Sequence, residues 1–262
     1  MPGYSDAMTI EQSFAWWSFA QDHADPRTLL RAAADIGYTG VDLLDPALWP
    51  VAADVGLRLA AVGGHASLTQ GLNDPAQHAR IHGELLASVK LAEQHGIATL
   101  IVFSGNRPGA GPEGGLDATV DALGAVAPHA EAAGVTLVLE LLNSRVDHPD
   151  YAADRTAWGV RVVEAVASPR VKLLYDVYHM QIMEGDVIRT IRANHPHIAH
   201  YHTAGNPGRH DLDDEQEIAY GAVFRAVQGT GFDGFIAHEF VPKGEPVAAL
   251  RSAFELCQAA MG

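Results

Sequence analysis

The chain has 262 residues, 48% of them apolar, and a formal charge of −15 from 17 Lys and Arg against 32 Asp and Glu. That length suits one large α/β domain, and the apolar share supplies a sizeable core with no run near the ~20 residues of a membrane-spanning helix. With no Lys/Arg cluster, the acidity argues against the basic face of a nucleic-acid binder. The one cysteine, Cys257, excludes an internal disulfide or a thiolate zinc cluster.

The start, MPGYSDAM, has neither the basic region nor the apolar region of an export signal, which implies a cytoplasmic protein. Residues 1–8 read as a disordered extension and 9–262 as one continuous domain. The first strand is predicted over Gln12–Trp17, with a helix over 26–37. A second strand over Thr39–Leu44 leads to a short helix over 46–55, and a third over Leu57–Val62 to a long one over 75–95. Strand four, Thr99–Ser104, precedes a helix at 116–133, and strand five, Val135–Leu142, one at 156–167. Strand six, Val171–Tyr178, is followed by a helix at 186–194, strand seven, Ile198–Thr203, by one at 214–229, and strand eight, Gly234–Phe240, by one at 245–260. Glycines at 37, 56, 96, 134 and 231 stand where helices end before the next strand. Eight strands, each followed by a helix, is the pattern of a single (β/α)8 TIM barrel.

Sites in such barrels form at the C-terminal strand ends, and four potential ligands fall there: Glu140, Asp176, His202 and Glu239. Their separations, 36, 26 and 37 residues, are each about one strand–helix unit, so they come from strands five to eight. A single acid at a strand end is most simply a helix N-cap or an ion-pair partner. Four such groups at one end of four adjacent strands point to a metal centre, because buried carboxylates need a compensating charge. Three carboxylates and one imidazole suit one divalent ion, Mn2+ or Mg2+, with Co2+ tolerated and Zn2+ less suited. His65, after strand three, and His179, after strand six, lie at the end where a substrate would be touched. Arg209, in the loop after strand seven, is a natural clamp for a substrate carboxylate or hydroxyl. Trp16 and Trp17 close strand one, and Trp16 is the candidate pocket wall. His200 shares a face with His202 and reads as a core histidine beneath it. His238 points away from Glu239, and His148 falls in a loop.

These residues carry a family likeness. Glu140-Leu-Leu-Asn-Ser-Arg145, Tyr175-Asp-Val-Tyr-His-Met-Gln-Ile-Met-Glu-Gly-Asp186, Asn206-Pro-Gly-Arg-His210 and Glu239 resemble the hydroxypyruvate isomerase family. That family lies within the xylose isomerase-like sugar isomerase/epimerase superfamily. The likeness covers most of 9–260 and is faint over the first 100 residues. It implies a barrel catalytic domain whose metal is held by Glu140, Asp176, His202 and Glu239. Substrate contacts are expected from His179 and Arg209, with His65, Arg145 and Trp16 as further candidates. The chain departs at His202, where bacterial hydroxypyruvate isomerases tend to carry Gln and ketose 3-epimerases His.

The implied chemistry is isomerisation of a small hydroxy-keto acid, of the hydroxypyruvate to 2-hydroxy-3-oxopropanoate type, through a cis-enediolate. Glu140 is the expected base and Glu239 its partner, with the exchange of their roles as the alternative. The alternatives are a ketose 3-epimerase, a lyase acting on 3-keto glycosides, and a non-catalytic sugar-binding or scaffold subunit. The expected partner is a small sugar or hydroxy-keto acid, with no nucleic acid and no membrane. The outer helices leave room for a homo-oligomer.

Overall fold

The computed structural model describes residues 10–20, 25–107 and 115–262. Among them, eight strands form one sheet: β1 Glu11–Phe14, β2 Gly40–Asp42, β3 Arg58–Gly63, β4 Thr99–Val102, β5 Thr136–Glu140, β6 Val171–Asp176, β7 Ile198–Thr203 and β8 Phe235–His238. The strand order is β1-β8-β7-β6-β5-β4-β3-β2 with parallel pairing throughout. β1 meets β2 through a parallel bridge between Ala15 and Asp42 and through the Thr39 N–H, which donates to the Gln12 carbonyl at 3.1 Å. The sheet thus comes round into a nearly closed (β/α)8 barrel, as the alternating pattern predicts.

The helices are α1 Trp16–Phe19, α2 Pro26–Ile36, α3 Trp49–Asp54, α4 His78–His95, α5 Leu116–Ala133, α6 Thr156–Val166, α7 Val177–Met183, α8 Val187–Asn194, α9 Tyr220–Gln228 and α10 Pro246–Met261. Their limits follow local chemistry. Asp25 caps α2 by accepting from the Arg27 N–H, and Glu245 caps α10 through Val247 and Ala248, each with Pro in the first turn. Gly96 and Gly134 end α4 and α5 in the left-handed conformation, at φ of 66° and 69°, which a glycine adopts without a Cβ clash. The main core lies between sheet and helices, and Cys257 is buried within it. A smaller cluster of Ala61, Ile101, Val138 and Leu174 is fully buried. Val138 and Leu174 stand two residues before Glu140 and Asp176, hence on the same strand face, so this cluster floors the barrel under those acids.

Several limits differ by a few residues from those expected, and three of the differences change the course of the chain. β1 stops at Phe14, and Trp16 and Trp17 belong to α1. β6 stops at Asp176, where the chain turns into α7 rather than running on to Tyr178. α9 begins at Tyr220, because the six residues before it form loop structure around Glu217 and Gln216 instead of a helical turn. The predicted extension over 1–8 lies outside the described residues.

Candidate functional site

Period-two alternation aims Glu140, Asp176 and His202 into the barrel at the ends of β5, β6 and β7, and Glu239 enters just after β8. One ligand atom from each of these four buried residues can be chosen so that all lie within 4.8 Å of one another. His202 Nδ1 is 3.1 Å from Glu239 Oε2 and 3.3 Å from Glu140 Oε1. The four groups that the sequence singles out therefore converge.

Asp176 has two duties. Its Oδ1 accepts the His179 backbone N–H at 3.1 Å and so caps α7, while its Oδ2 is buried without a hydrogen-bond partner. The helix-cap reading of an acid at a strand end thus holds for one oxygen, and the other is left uncommitted. Burial pushes its carboxyl up, and the Glu239 and Glu140 charges push it further, against the pull of Arg209 and His202. Glu239 goes the other way. Burial works to raise it, but the charges of His202 and Arg209 outweigh burial and hold it well below the usual carboxylate range. The Trp17 indole N–H donates to Glu239 Oε1 at 2.8 Å, and Arg209 Nη2 donates to Oε2 at 2.5 Å. His202 is held as a strong base. Burial opposes its charge, and the carboxylates of Glu239, Asp42 and Glu140 overcome that.

His179 is fully buried, and its tautomer follows from its neighbours. The Asn143 side-chain oxygen accepts from the Val146 and Asp147 N–H groups at 2.9 Å each, which leaves its amide as a donor. That amide lies 2.6 Å from His179 Nδ1, and the Asn143 backbone N–H donates to the same nitrogen at 3.2 Å. Nδ1 is therefore an acceptor and Nε2 carries the proton. Nε2 has no hydrogen-bond partner and faces Asp176 Oδ2 across 3.6 Å. Burial, reinforced by Arg209 and His148, holds the ring neutral. Its Nε2–H is thus an uncommitted donor.

Arg209 sits in the left-handed region, at φ of 58°, with its guanidinium 5.1 Å from the Trp17 ring and 5.7 Å from the Tyr178 ring. The two rings flank the cation and fix its direction toward Glu239. The other expected contacts are placed differently. Trp16 is half-buried and packs on the main core, so that Trp17 is the tryptophan that reaches Glu239. Arg145 is turned to the Ile182 carbonyl at 2.7 Å, tying the β5 loop to α7. His65 accepts the Phe103 N–H at 2.9 Å through Nε2, and its charged neighbours are Glu84 and Arg80. His238 is satisfied by Thr203 and Gln12, as its outward direction predicts.

Asp42 carries no expectation from the sequence, and His148 reads there only as a loop histidine apart from the site. Asp42 ends β2, fully buried, with its Oδ2 2.6 Å from His200 Nε2 and 3.3 Å from His202 Nε2. Burial works against its charge, yet the two imidazoles bring the carboxyl down to about 2. The signal was present, since VDLLD places an acid at a buried strand end just as YD does at Asp176. His148 stacks 5.3 Å from His179, and Arg209, Glu140 and Glu239 all act on its ring. Nothing in a loop position announces that placement.

The xylose isomerase-like TIM barrel model matches residues 30–259, and the chain belongs to that family. It is 31% identical over 242 residues to the 2-oxo-tetronate isomerase of Cupriavidus necator, a match covering 87% of this chain and 92% of that one. It is 29% identical over 117 residues to the hydroxypyruvate isomerase of Escherichia coli, covering 45% of each. The solved D-psicose 3-epimerase of Clostridium cellulolyticum superposes with a TM-score of 0.80 at 19% identity, over 96% of this chain and 99% of that one. Isomerases and an epimerase among its relatives and fold neighbours support an enzyme.

The donor set fits a divalent cation. Three carboxylates and an imidazole converge in a buried space, Asp176 Oδ2 has no other partner, and burial, followed by its like-charged neighbours, drives its carboxyl toward protonation. Among the described residues no helix is long and apolar enough to cross a membrane.

Proposed function

We propose that this protein is a divalent-metal-dependent isomerase of a small hydroxy-keto acid, of the hydroxypyruvate to 2-hydroxy-3-oxopropanoate type. The observation that carries the reading is the convergence of Glu140, Asp176, His202 and Glu239 within 4.8 Å at one end of the barrel. These four residues would hold the ion, Mn2+ or Mg2+ by their mostly hard oxygen donors. The ion would supply positive charge where the two substrate oxygens of a cis-enediolate become negative.

The remaining chemistry belongs to the side chains. Glu140 is the base. Glu239 has one oxygen committed to Trp17 and the other to Arg209, whereas Glu140 Oε1 lies 3.3 Å from His202 Nδ1. Glu140 takes the proton from the carbon beside the carbonyl, and the C–H electrons become the C=C bond of the enediolate. Return of that proton to the adjacent carbon, with Glu239 as the partner of Glu140, completes the isomerisation without any external oxidant or reductant. His179 donates its free Nε2–H to a substrate oxygen, and Arg209 orients the distal carboxylate or hydroxyl.

The 2-oxo-tetronate isomerase relative supports a hydroxy-keto acid and adds the four-carbon homologue as a substrate. A ketose 3-epimerase is the second reading, favoured by the imidazole at 202 and the third-strand sequence VGGHASLTQG. In that case the proton returns to the other face of the carbon it left.

Proton NMR in D2O of the Mg2+-loaded protein with hydroxypyruvate, and with 2-oxo-tetronate, tests the reading. Deuterated aldehyde product, abolished in Glu140→Gln, is expected. Neither exchange nor product from folded, metal-loaded protein overturns the hydroxy-keto acid assignment. Exchange with ketohexoses in their place establishes the epimerase.

A further inference from the structure

Asp42 comes from the opposite side of the barrel to the four candidate ligands, and the strand is shaped to deliver it. Pairing of β2 with β3 shifts register between Val41 and Asp42, so that Val41 faces Leu59 and Asp42 faces Ala61. Such an irregularity re-aims the side chain that follows it. It sends the Asp42 carboxylate under His202, where the side chain is fully buried. His200 and His202, two residues apart on β7, present their rings to it with centroids 5.2 Å apart.

The contacts divide the two nitrogens of His202. Nε2 is 3.3 Å from Asp42 Oδ2, and Nδ1 faces Glu239 and Glu140 at 3.1 and 3.3 Å. A carboxylate oxygen can only accept, so the proton between His202 and Asp42 belongs to Nε2. His200 Nε2 donates to the same oxygen at 2.6 Å and holds it in place from below. A buried carboxylate that accepts from the far nitrogen of a ligating histidine fixes the ring's orientation and tautomer and strengthens it as a ligand.

We propose that Asp42 is the positioning residue of this centre: it anchors the Nε2–H of His202 so that Nδ1 is the nitrogen presented to the metal, with His200 as its support. The inference rests on the metal reading given above. The trio of Asp42, His200 and His202 could also be read as a second ion site. The 2.6 Å contact is the length of a strong shared-proton bond, and Asp42 Oδ2 serves both rings, so the trio is a hydrogen-bonded support.

Calorimetric titration with Mn2+, beside thermal melts of the same samples, tests it in the wild type, Asp42→Asn and Asp42→Ala. One Mn2+ per wild-type chain is expected. Asp42→Ala should bind 10–100-fold more weakly, with Asp42→Asn between the two because its amide oxygen can still accept. A merely structural role would lower the melting temperature and leave the Mn2+ affinity unchanged. Folded Asp42→Asn and Asp42→Ala proteins binding within twofold of wild type overturn the proposal, as does a wild-type stoichiometry of two. If both variants fail to fold, long-range 1H–15N NMR of the wild-type Mg2+ form decides: an Nε2–H tautomer at His202 supports the assignment and an Nδ1–H tautomer overturns it. A wild type that binds none of Mn2+, Mg2+ and Co2+ removes the metal reading itself.

Discussion

Replacing Asp176 by Asn should stabilise the metal-free protein and abolish its stabilisation by metal. Burial, followed by the charges of Glu239 and Glu140, pushes the Asp176 carboxyl from 3.8 up to about 7. Three units at ~1.4 kcal/mol each amount to ~4 kcal/mol against folding. The folded chain holds this proton more tightly than the unfolded one. The penalty is therefore absent below about pH 4, grows through the interval, and is complete above about pH 7. An amide carries no such penalty, and its oxygen can still cap α7 by accepting the His179 N–H, now made by Asp176 Oδ1 at 3.1 Å. In EDTA at pH 8, Asp176→Asn should melt roughly 8 °C above wild type, at ~2 °C per kcal/mol for a chain of this size. At pH 4 the two should coincide. Mn2+ should narrow the gap, since ligand at a hundredfold excess over its Kd adds ~2.7 kcal/mol to the wild type alone, and at a thousandfold excess ~4.1 kcal/mol should bring the two level. Paired thermal melts by circular dichroism read all three conditions. A variant no more stable than wild type in EDTA at pH 8, or equally favoured at pH 4, would refute the argument that Asp176 is a carboxylate strained by its neighbours.

Trp17→Phe keeps an aromatic face for Arg209 but removes the 2.8 Å bond to Glu239, so kcat/KM should fall roughly tenfold, the scale of a hydrogen bond to a charged group. Steady-state kinetics at saturating metal checks this, and a wild-type rate would remove Trp17 from the site. His65 is pushed from 6.5 down to about 4, chiefly by burial, so it is neutral when folded and its contribution to stability is lost as pH falls from 6.5 to about 4. Urea unfolding at pH 7 and pH 4 should lose ~3 kcal/mol more in wild type than in His65→Gln, and equal losses would contradict it.

The barrel was legible because period-two apolar runs and glycine-ended helices repeat along the chain, and that pattern is local. The converging set of Glu140, Asp176, His202 and Glu239 was legible for the same reason: an acid or histidine ending a buried run is unusual wherever it falls. What escaped depends on direction. Neighbouring tryptophans at 16 and 17 look alike in sequence, and only the early turn into α1 decides that Trp17 reaches Glu239. Arg145 stands in a motif that resembles the family, yet its guanidinium is drawn to the free carbonyl of Ile182 at the end of α7. His148 reaches the site through a loop, whose path no periodicity encodes. Asp42 ends a buried run as the ligand acids do, but its partners stand 158 and 160 residues away, so what it holds lies beyond any local pattern.

All four candidate ligands come from the second half of the barrel, β5 to β8, along with His179 and Arg209. The first half contributes few groups to this machinery, chiefly Trp17 and Asp42, and its own strand ends and loops border the same opening. On the proposed function, the chain is divided along its length into a part that carries the reacting groups and a part free to select what undergoes the reaction. A new substrate preference can be written between β2 and β5 without touching a ligand. Trp17 and Asp42 are the two threads by which that freedom remains tied to the chemistry.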